Sequence, residues 1–555
     1  MTIKIFTVAE MMAAEKAADA AGHSYAQMMA TAGRRVAEAI LERYDVAGRQ
    51  ALILVGPGNN GGDGLVAGRH LAEAGAAVAF YLLKPRDPTT DENLALVEEM
   101  QLEVLPADYD QRFRVLRHRL RAADFVVDAL FGTGVSRPIS GPAAAVLEQV
   151  AAGLAERRVQ AASRPTLTAV AAPPVRDEAA PTRHDAAPVV VAVDCPSGLN
   201  CDSGALDPLA IPADHTVTFA GPKRGHFIFP GAAACGELIV ADIAIDPALP
   251  AVKAVPLALA TAELARDMLP ARPADGHKGT FGTALIAAGS IRYWGAPALA
   301  ARGAFRAGAG LVTLAVPQRL RPALAGQFPE ATYPLVTDTD TLGVATANLL
   351  LGSLKSYDAL LVGPGLGEAA SFLGALLDGL REPAEGQKSP PLVIDADGLN
   401  LLAALPDWPG RLPPNSILTP HPGEMARLIG RNRDEERDGD RVESARRRAA
   451  EWGHVVVLKG AYTVIAAPPD SVSGDGRATL LPFANPILAV AGSGDVLAGI
   501  ITGLLAQGMA PYEAAVLGGY LHGAAGQLAG DFWGRAGLLA GELADWVSHA
   551  RRALE

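Results

Sequence analysis

Short apolar runs, each closed by a turn that is rich in glycine or led by aspartate, recur along both halves of this chain. In the first half they fall at residues 51–55, 77–83, 125–127 and 189–193, with helical stretches between them. Runs this short and apolar suit strands buried on both faces, and the helices supply the crossovers that parallel strands require. The pattern predicts a doubly wound parallel sheet. Two helical patterns, 8–22 and 24–44, precede the first run. Further runs at 283–288, 311–316, 359–362, 391–394, 416–418 and 454–458 set up a second alternation. The fold class is read as α/β throughout, a Rossmann-like three-layer domain followed by a second α/β domain with its own core.

A chain of 555 residues is too long for one core,. The first domain is read as residues 1–246 and the second as 258–550, joined by the Pro- and Ala-rich stretch 247–257. Residues of about 151–188 carry Arg-Pro and Ala-Pro-Pro pieces with little periodicity and read as a flexible insertion, because the strand pattern resumes at 189,. Half of the residues are hydrophobic and the net charge is -12, which fits a globular protein and argues against a generic nucleic-acid or membrane-surface binder,. Cys195, Cys201 and Cys235 are too few and scattered for a disulfide framework or a zinc cluster, so a reducing compartment is expected. With no secretory leader pattern and no uncharged run of membrane-spanning length, the expectation is a soluble, cytoplasmic protein. Its alanine-rich helices suggest a homo-oligomer.

Gly56, Pro57, Gly58, Asn59, Asn60, Gly61, Gly62, Asp63 and Gly64 follow the first run, and a helix is expected to open near Leu65. Backbone N–H groups of so bare a turn can approach an anion, and the positive end of the next helix favours phosphate. Alone, the turn is equally well a structural one. Two more turns, 128–134 and 194–199, sit where open parallel sheets bind ligands, past the carboxyl ends of strands. Asp128 and Asp194 could each simply cap the next element, but a carboxylate ending an apolar strand needs a donor or a cation, and three such turns on one edge make a site.

Over roughly residues 1–246 these motifs, together with Thr216-Val217-Thr218-Phe219 and Gly221-Pro222-Lys223, resemble the NAD(P)H-hydrate epimerases. The resemblance implies that Asn59, Asn60, Gly61, Gly62 and Asp63, with Gly132, Thr133, Gly134, Val135, Ser136, Arg137 and Pro138, surround the hydrate. It also implies that Asn60, Asp128 and Ser197 ligate potassium. Asp194 is the candidate acid/base, since inversion at a hydroxyl-bearing carbon beside a ring nitrogen calls for a proton shuttle. The insertion, and Cys195 within the motif, depart from the family pattern.

The second half offers His277-Lys278-Gly279, Gly289-Ser290, Gly295-Ala296-Pro297, Gly308-Ala309-Gly310, Gly363-Pro364-Gly365-Leu366-Gly367, Asp395-Ala396-Asp397, Thr419-Pro420-His421-Pro422-Gly423-Glu424 and Lys459-Gly460-Ala461-Tyr462-Thr463. Gly492-Ser493-Gly494-Asp495 then opens a long helix. Glycines at a helix start make an anion hole, and an adjacent Asp can take a proton from a hydroxyl attacking a phosphoryl group. Asp495 alone could be a cap, and His421 a packed turn residue.

Over about residues 258–550 this set resembles the ADP- or ATP-dependent NAD(P)H-hydrate dehydratases, of ribokinase-like fold. The resemblance implies that Lys459, Gly460, Ala461, Tyr462 and Thr463 contact ADP and Gly494 its phosphates. Ala296, Gly365, His421 and Asp495 would face the hydrated cofactor, with Asp495 catalytic and magnesium accompanying the nucleotide. Lys278, Asp395 and Asp397 are secondary candidates. Together the halves would interconvert the R and S hydrates of NADH and NADPH and dehydrate the S form. The alternative is a ribokinase-like vitamin or pyrimidine-alcohol kinase fused to a nucleotide-binding module.

Overall fold

The computed structural model describes residues 3–135, 137–162, 187–381, 389–430, 440–469 and 476–555. They form two compact units, Lys4–Val255 and Pro256–Glu555, the latter also taking in Ile3. Among the described residues no helix is long and apolar enough to cross a membrane.

The first unit is built on seven parallel strands, β1 (Gln50–Val55), β2 (Ala77–Leu82), β3 (Glu103–Pro106), β4 (Phe125–Ala129), β5 (Val189–Val193), β6 (His215–Phe219) and β7 (Glu237–Ala241). Their order is β3-β2-β1-β4-β5-β6-β7. Along β1 the pleat sends Ile53 and Val55 to one core, with Met11, Val36 and Leu65, and Leu52 and Leu54 to the other, with Leu116 and Val150. Burial on both faces is why these strands read as unbroken apolar runs. The order reverses between β1 and β4, so the crevice past their carboxyl ends is the natural ligand site.

The helix after β1 starts at Asn59, not near Leu65, and runs to Glu73. The expected Asn59–Asp63 loop is therefore helical, and its glycines serve close packing rather than a flexible turn. An added Cβ would lie 2.1 Å from the Gly56 carbonyl oxygen at Gly61, 2.5 Å from Met29 Sδ at Gly62 and 2.5 Å from Ala129 Cβ at Gly64. Residues 151–162 belong to the helix Gly141–Ala162; the rest of the expected insertion, 163–186, lies outside the described residues. The stretch read as a linker holds a short helix, Pro250–Lys253, and the start of a strand.

The second unit has nine strands: β8 (Leu257–Leu259), β9 (Thr283–Ala287), β10 (Leu311–Ala315), β11 (Ala359–Val362), β12 (Leu392–Ile394), β13 (Ile417–Leu418), β14 (Val455–Leu458), β15 (Val464–Ala466) and β16 (Ala478–Leu480), ordered β10-β9-β11-β12-β13-β14-β15-β16-β8. The first six in that order pair in parallel, and β15 is antiparallel to both neighbours. Here too the order reverses, between β9 and β11. Two helices, Ala296–Ala307 and Ser493–Ala506, pack in parallel and in backbone contact: a Cβ added at Gly499 would stand 2.0 Å from the Ala300 carbonyl oxygen, and one at Gly503 2.5 Å from that of Ala304. The equal offset of these contacts brings the two helix starts, Ala296 and Asp495, level with each other.

Candidate active sites

In the first unit the loops after β1, β4, β5 and β6 meet at the reversal point. Asp128 ends β4 fully buried. Its Oδ2 accepts the Ser197 N–H at 2.8 Å and its Oδ1 the Ser197 hydroxyl at 2.6 Å and the Leu130 N–H at 3.3 Å. Burial pushes its pKa up against these bonds, and among the described residues no cation pairs with it. Asn60 is buried with its Oδ1 3.1 Å from where a Gly132 Cβ would stand, and its amide nitrogen has no partner among the described residues.

Asp194 leaves β5 in the left-handed region, φ 62°, which turns its carboxylate back over the sheet edge. Lys223 Nζ donates to its Oδ1, as do the Thr218 hydroxyl at 2.9 Å and the Phe219 N–H at 3.4 Å. All three donors fall on Oδ1, leaving Oδ2 for the cavity. Burial would raise this carboxyl, but the Lys223 ammonium outweighs it and holds the pKa below the ordinary range,. Asp63 goes the other way: burial and the charges of Asp194 and Glu15 raise it well above normal. Glu15 is raised as well, by burial first.

These groups face a cavity of about 740 Å³. Of the sequence candidates, Asn59, Asn60, Asp63, Gly132, Thr133, Gly134, Val135, Arg137, Pro138 and Asp194 line it. Gly61 and Gly62 face packing neighbours instead, and Ser136 lies outside the described residues. Sequence reasoning missed two participants. Lys223 was quoted only as part of a motif, although its tripeptide follows a strand as the other site turns do. Glu15 sits in an alanine-rich helix and gives no signal of its own.

Spacing offered no reason to bring Cys195 and Cys201 together, yet their sulfurs are neighbours, while Cys235 is buried outside that pair. His226 Nε2 lies 3.2 Å from Cys195 Sγ, and its Nδ1 accepts the Lys223 N–H at 3.2 Å. Burial, then Lys223, lowers the imidazole pKa to about 3, so the ring is neutral. With Nδ1 accepting, the hydrogen sits on Nε2 and points at sulfur, which is the wrong tautomer for a metal ligand.

In the second unit, Asp395 follows β12, almost completely buried. Its Oδ1 accepts the Thr419 hydroxyl at 2.7 Å and Lys459 Nζ at 2.6 Å. Lys459 also stands 3.8 Å from Glu424 Oε2. Glu424 Oε2 accepts the His421 N–H at 2.8 Å, and His421 Nδ1 accepts the Gly423 and Glu424 N–H groups at 3.0 and 3.2 Å. His421 is thus the cap of the helix Pro422–Leu428, with its Nε2 3.3 Å from Glu424 Oε1. Asp397 Oδ2 accepts the Gly367 N–H at 2.9 Å.

A Cβ on Gly494 would stand 3.4 Å from Lys459 Nζ and 3.9 Å from Asp395 Oδ2, which sets the start of the Asp495 helix directly over this cluster. Asp495 is pushed up to about 7, chiefly by burial and then by the charge of Asp395, against the pull of Lys459. Glu424 is raised to about 6, again mainly by burial. The turn Lys459–Thr463 is clamped by Arg441, whose guanidinium donates to the carbonyls of Leu458, Lys459 and Ala461. Gly365, at φ 64°, has no room for a Cβ, which would meet Tyr293 Cβ at 2.6 Å and Ala296 Cβ at 3.1 Å. The structure therefore moves Asp395 from a secondary candidate to the centre. Lys278 lies before β9, at the opposite end of that strand, where its carbonyl backs onto Gly310.

Residues 284–548 match the family model described as NAD(P)H-hydrate dehydratase, and residues 25–225 match the YjeF-related protein N-terminus. A bifunctional NAD(P)H-hydrate repair enzyme of Moorella thermoacetica is 40% identical over 95% of this chain and 92% of its own length. Its counterpart in Thermofilum pendens is 36% identical over 100% of this chain and 97% of its own. Among solved structures, an ADP/ATP-dependent NAD(P)H-hydrate dehydratase of Bacillus subtilis, co-crystallised with ATP and magnesium, is 35% identical, covering 54% of this chain and 98% of its own, with a TM-score of 0.45.

Proposed function

This chain belongs to the bifunctional NAD(P)H-hydrate repair enzymes, and on that footing we propose that Asp194 serves its epimerase and Asp495 its dehydratase. The kinase alternative falls away, because the relatives spanning both halves are repair enzymes. The observation that supports the assignment is that each sheet edge gathers carboxylates around a lysine: Asp194 is ion-paired with Lys223, while Lys459 pairs with Asp395 and Glu424 and its charge also acts on Asp495.

In the epimerase, Asp194 Oδ2 accepts the proton of the ring hydroxyl as the O–H electrons form a carbonyl and the carbon–nitrogen bond breaks, its electron pair staying on nitrogen in conjugation with the carboxamide; the proton returns when nitrogen re-adds to the other face of the carbonyl. Lys223 holds the carboxylate in its ionised form at the start of the cycle, ready to take that proton. Asp63, raised toward its neutral form, can donate a hydrogen bond to the opened ring. Asp128, a buried anion with no cationic partner among the described residues, fits a hard monovalent cation; Asn60, Asp128 and Ser197 would hold potassium, which would neutralise the buried charge. Replacing potassium by a larger organic cation slows epimerisation and spares dehydration if that fit is right.

In the dehydratase, Asp495 takes the proton of the ring hydroxyl, which attacks the terminal phosphoryl group of ADP. Lys459 and the N–H groups around Gly494 bind the phosphates, and Lys459–Thr463 carries the rest of the nucleotide. Asp395 and Glu424 offer oxygen donors for magnesium, which neutralises charge on the transferring phosphates. The phosphorylated hydroxyl then leaves and the reduced nicotinamide is restored. We assign the enzyme to the cytoplasm, where ADP and reduced nicotinamides meet, and to a homo-oligomer, for which the exposed Phe532, Trp533 and Leu539 offer apolar surface.

The test supplies pure protein with both hydrate epimers, ADP and magnesium, and follows reduced-nicotinamide absorbance. Full recovery faster than spontaneous exchange allows supports both activities. Recovery of one epimer, followed by a slow phase at the rate of spontaneous exchange, removes the epimerase role.

A further inference from the structure

Beside the candidate dehydratase site the loop after β9 carries a half-exposed aromatic ring. Tyr293 is 51% exposed, and among the described residues it has no aromatic or side-chain hydrogen-bond partner. It is nevertheless held firmly. Its N–H donates to the Ser290 carbonyl at 2.9 Å, and the Gly289 N–H donates to the Pro364 carbonyl at 2.8 Å, tying this loop to the one after β11. Gly365 must stay bare to admit it, since an added Cβ would come within 2.6 Å of Tyr293 Cβ and 3.4 Å of its Cγ. The neighbouring Ser290 hydroxyl is buried without a partner among the described residues, 3.2 Å from where a Gly367 Cβ would stand. So an aromatic side chain on a tied backbone and an unsatisfied hydroxyl border Ala296 and Gly365, at the sheet's reversal point and at the Asp495 end of the paired helices.

We propose that Tyr293 is the surface on which the hydrated nicotinamide ring lies, with the Ser290 hydroxyl bonding its carboxamide. The proposal rests on the assignment of Ala296, Gly365 and Asp495 to the hydrate. Its chemistry follows from the elimination. When phosphate departs with the electrons of the carbon–oxygen bond, the ring nitrogen's lone pair forms a carbon–nitrogen double bond and the ring becomes a cation. The adjacent carbon then loses a proton to the departing phosphate; its C–H electrons form the new carbon–carbon double bond as the carbon–nitrogen π pair returns to nitrogen, and the ring is neutral again. An aromatic face stabilises the cationic stage more than the neutral substrate.

The experiment measures dehydratase kinetics of Tyr293→Leu, Tyr293→Phe and Ser290→Ala, with the epimerase of the same chain as the control for folding. Tyr293→Leu should lower kcat about 5- to 30-fold, the rate equivalent of ~1–2 kcal/mol of cation–π stabilisation, with KM for ADP unchanged. Tyr293→Phe should stay within about twofold of the parent, because it keeps the face. Ser290→Ala should raise KM for the hydrate and not for ADP. An unaltered kcat in Tyr293→Leu, or a loss in Tyr293→Phe equal to it, overturns the proposal. Persistent dehydration by Asp495→Asn would overturn the site assignment itself, and the ring subsite with it.

Discussion

Lys223→Met removes the charge that keeps Asp194 ionised while keeping most of the side chain's length. Lys223 is 1% exposed and Asp194 9%, so solvent cannot replace the lost partner. Two donors then remain on the carboxylate, the Thr218 hydroxyl and the Phe219 N–H. Breaking one side of a buried pair costs about 3–5 kcal/mol, against a typical domain stability of about 5–15 kcal/mol. The first unit should melt earlier but stay folded. With the ammonium gone, burial is the largest influence left on Asp194 and pushes its pKa upward. A raised carboxyl is protonated in a larger fraction of molecules at a given pH and ionises further as pH rises. Epimerisation should therefore fall at least about tenfold at neutral pH and recover toward alkaline pH, where the parent enzyme is flat. Chromatographic exchange between the two epimers, with dehydration as the internal control, reads this directly. A variant with the parental rate and a flat profile would refute the role given to Lys223.

Dehydration should show an acid limb near pH 7, where Asp495 titrates, the rate rising with pH because the ionised form is the base. Asp395→Asn should move that limb to lower pH, since it removes the charge that raises Asp495 and frees Lys459 to lower it; an unmoved limb in kcat/KM profiles would contradict this. Gly499→Ala forces a Cβ to within 2.0 Å of the Ala300 carbonyl oxygen where ordinary contact begins at 3.4 Å, so the paired helices must part. That should cost about 1–3 kcal/mol and, by misplacing Asp495 relative to Ala296 by about an ångström, lower dehydration ~100-fold with epimerisation intact. Gly374→Ala, which meets nothing within 4 Å, is the control and should be neutral or stabilising.

The strands that carry the sites were legible because they are apolar on both faces and end in conspicuous turns, and the family resemblance rests on those turns. Strands without that signature were not. β8, β15 and β16 are three residues each, and β8 falls across the end of the stretch that composition marks as a linker. The helix start at Asn59 was hidden because glycine is read as a turn former, and only its neighbours Gly56, Met29 and Ala129 reveal that the requirement is space. Lys223 stands 29 residues from the aspartate it holds, and nothing in local pattern joins them. Asp395 looked like one acidic residue of a pair, and its importance comes from Lys459, 64 residues away.

The most direct measurement takes Asp194→Asn and Asp495→Asn, each given one pure epimer at a time, and follows both exchange and ADP-driven recovery of NADH. Asp495→Asn should still exchange epimers and recover nothing, and Asp194→Asn should recover the S epimer at the parental rate while the R epimer waits on spontaneous exchange. If either substitution, in a chain that melts normally, silenced both reactions or neither, two independent carboxylate centres would be the wrong description of this enzyme.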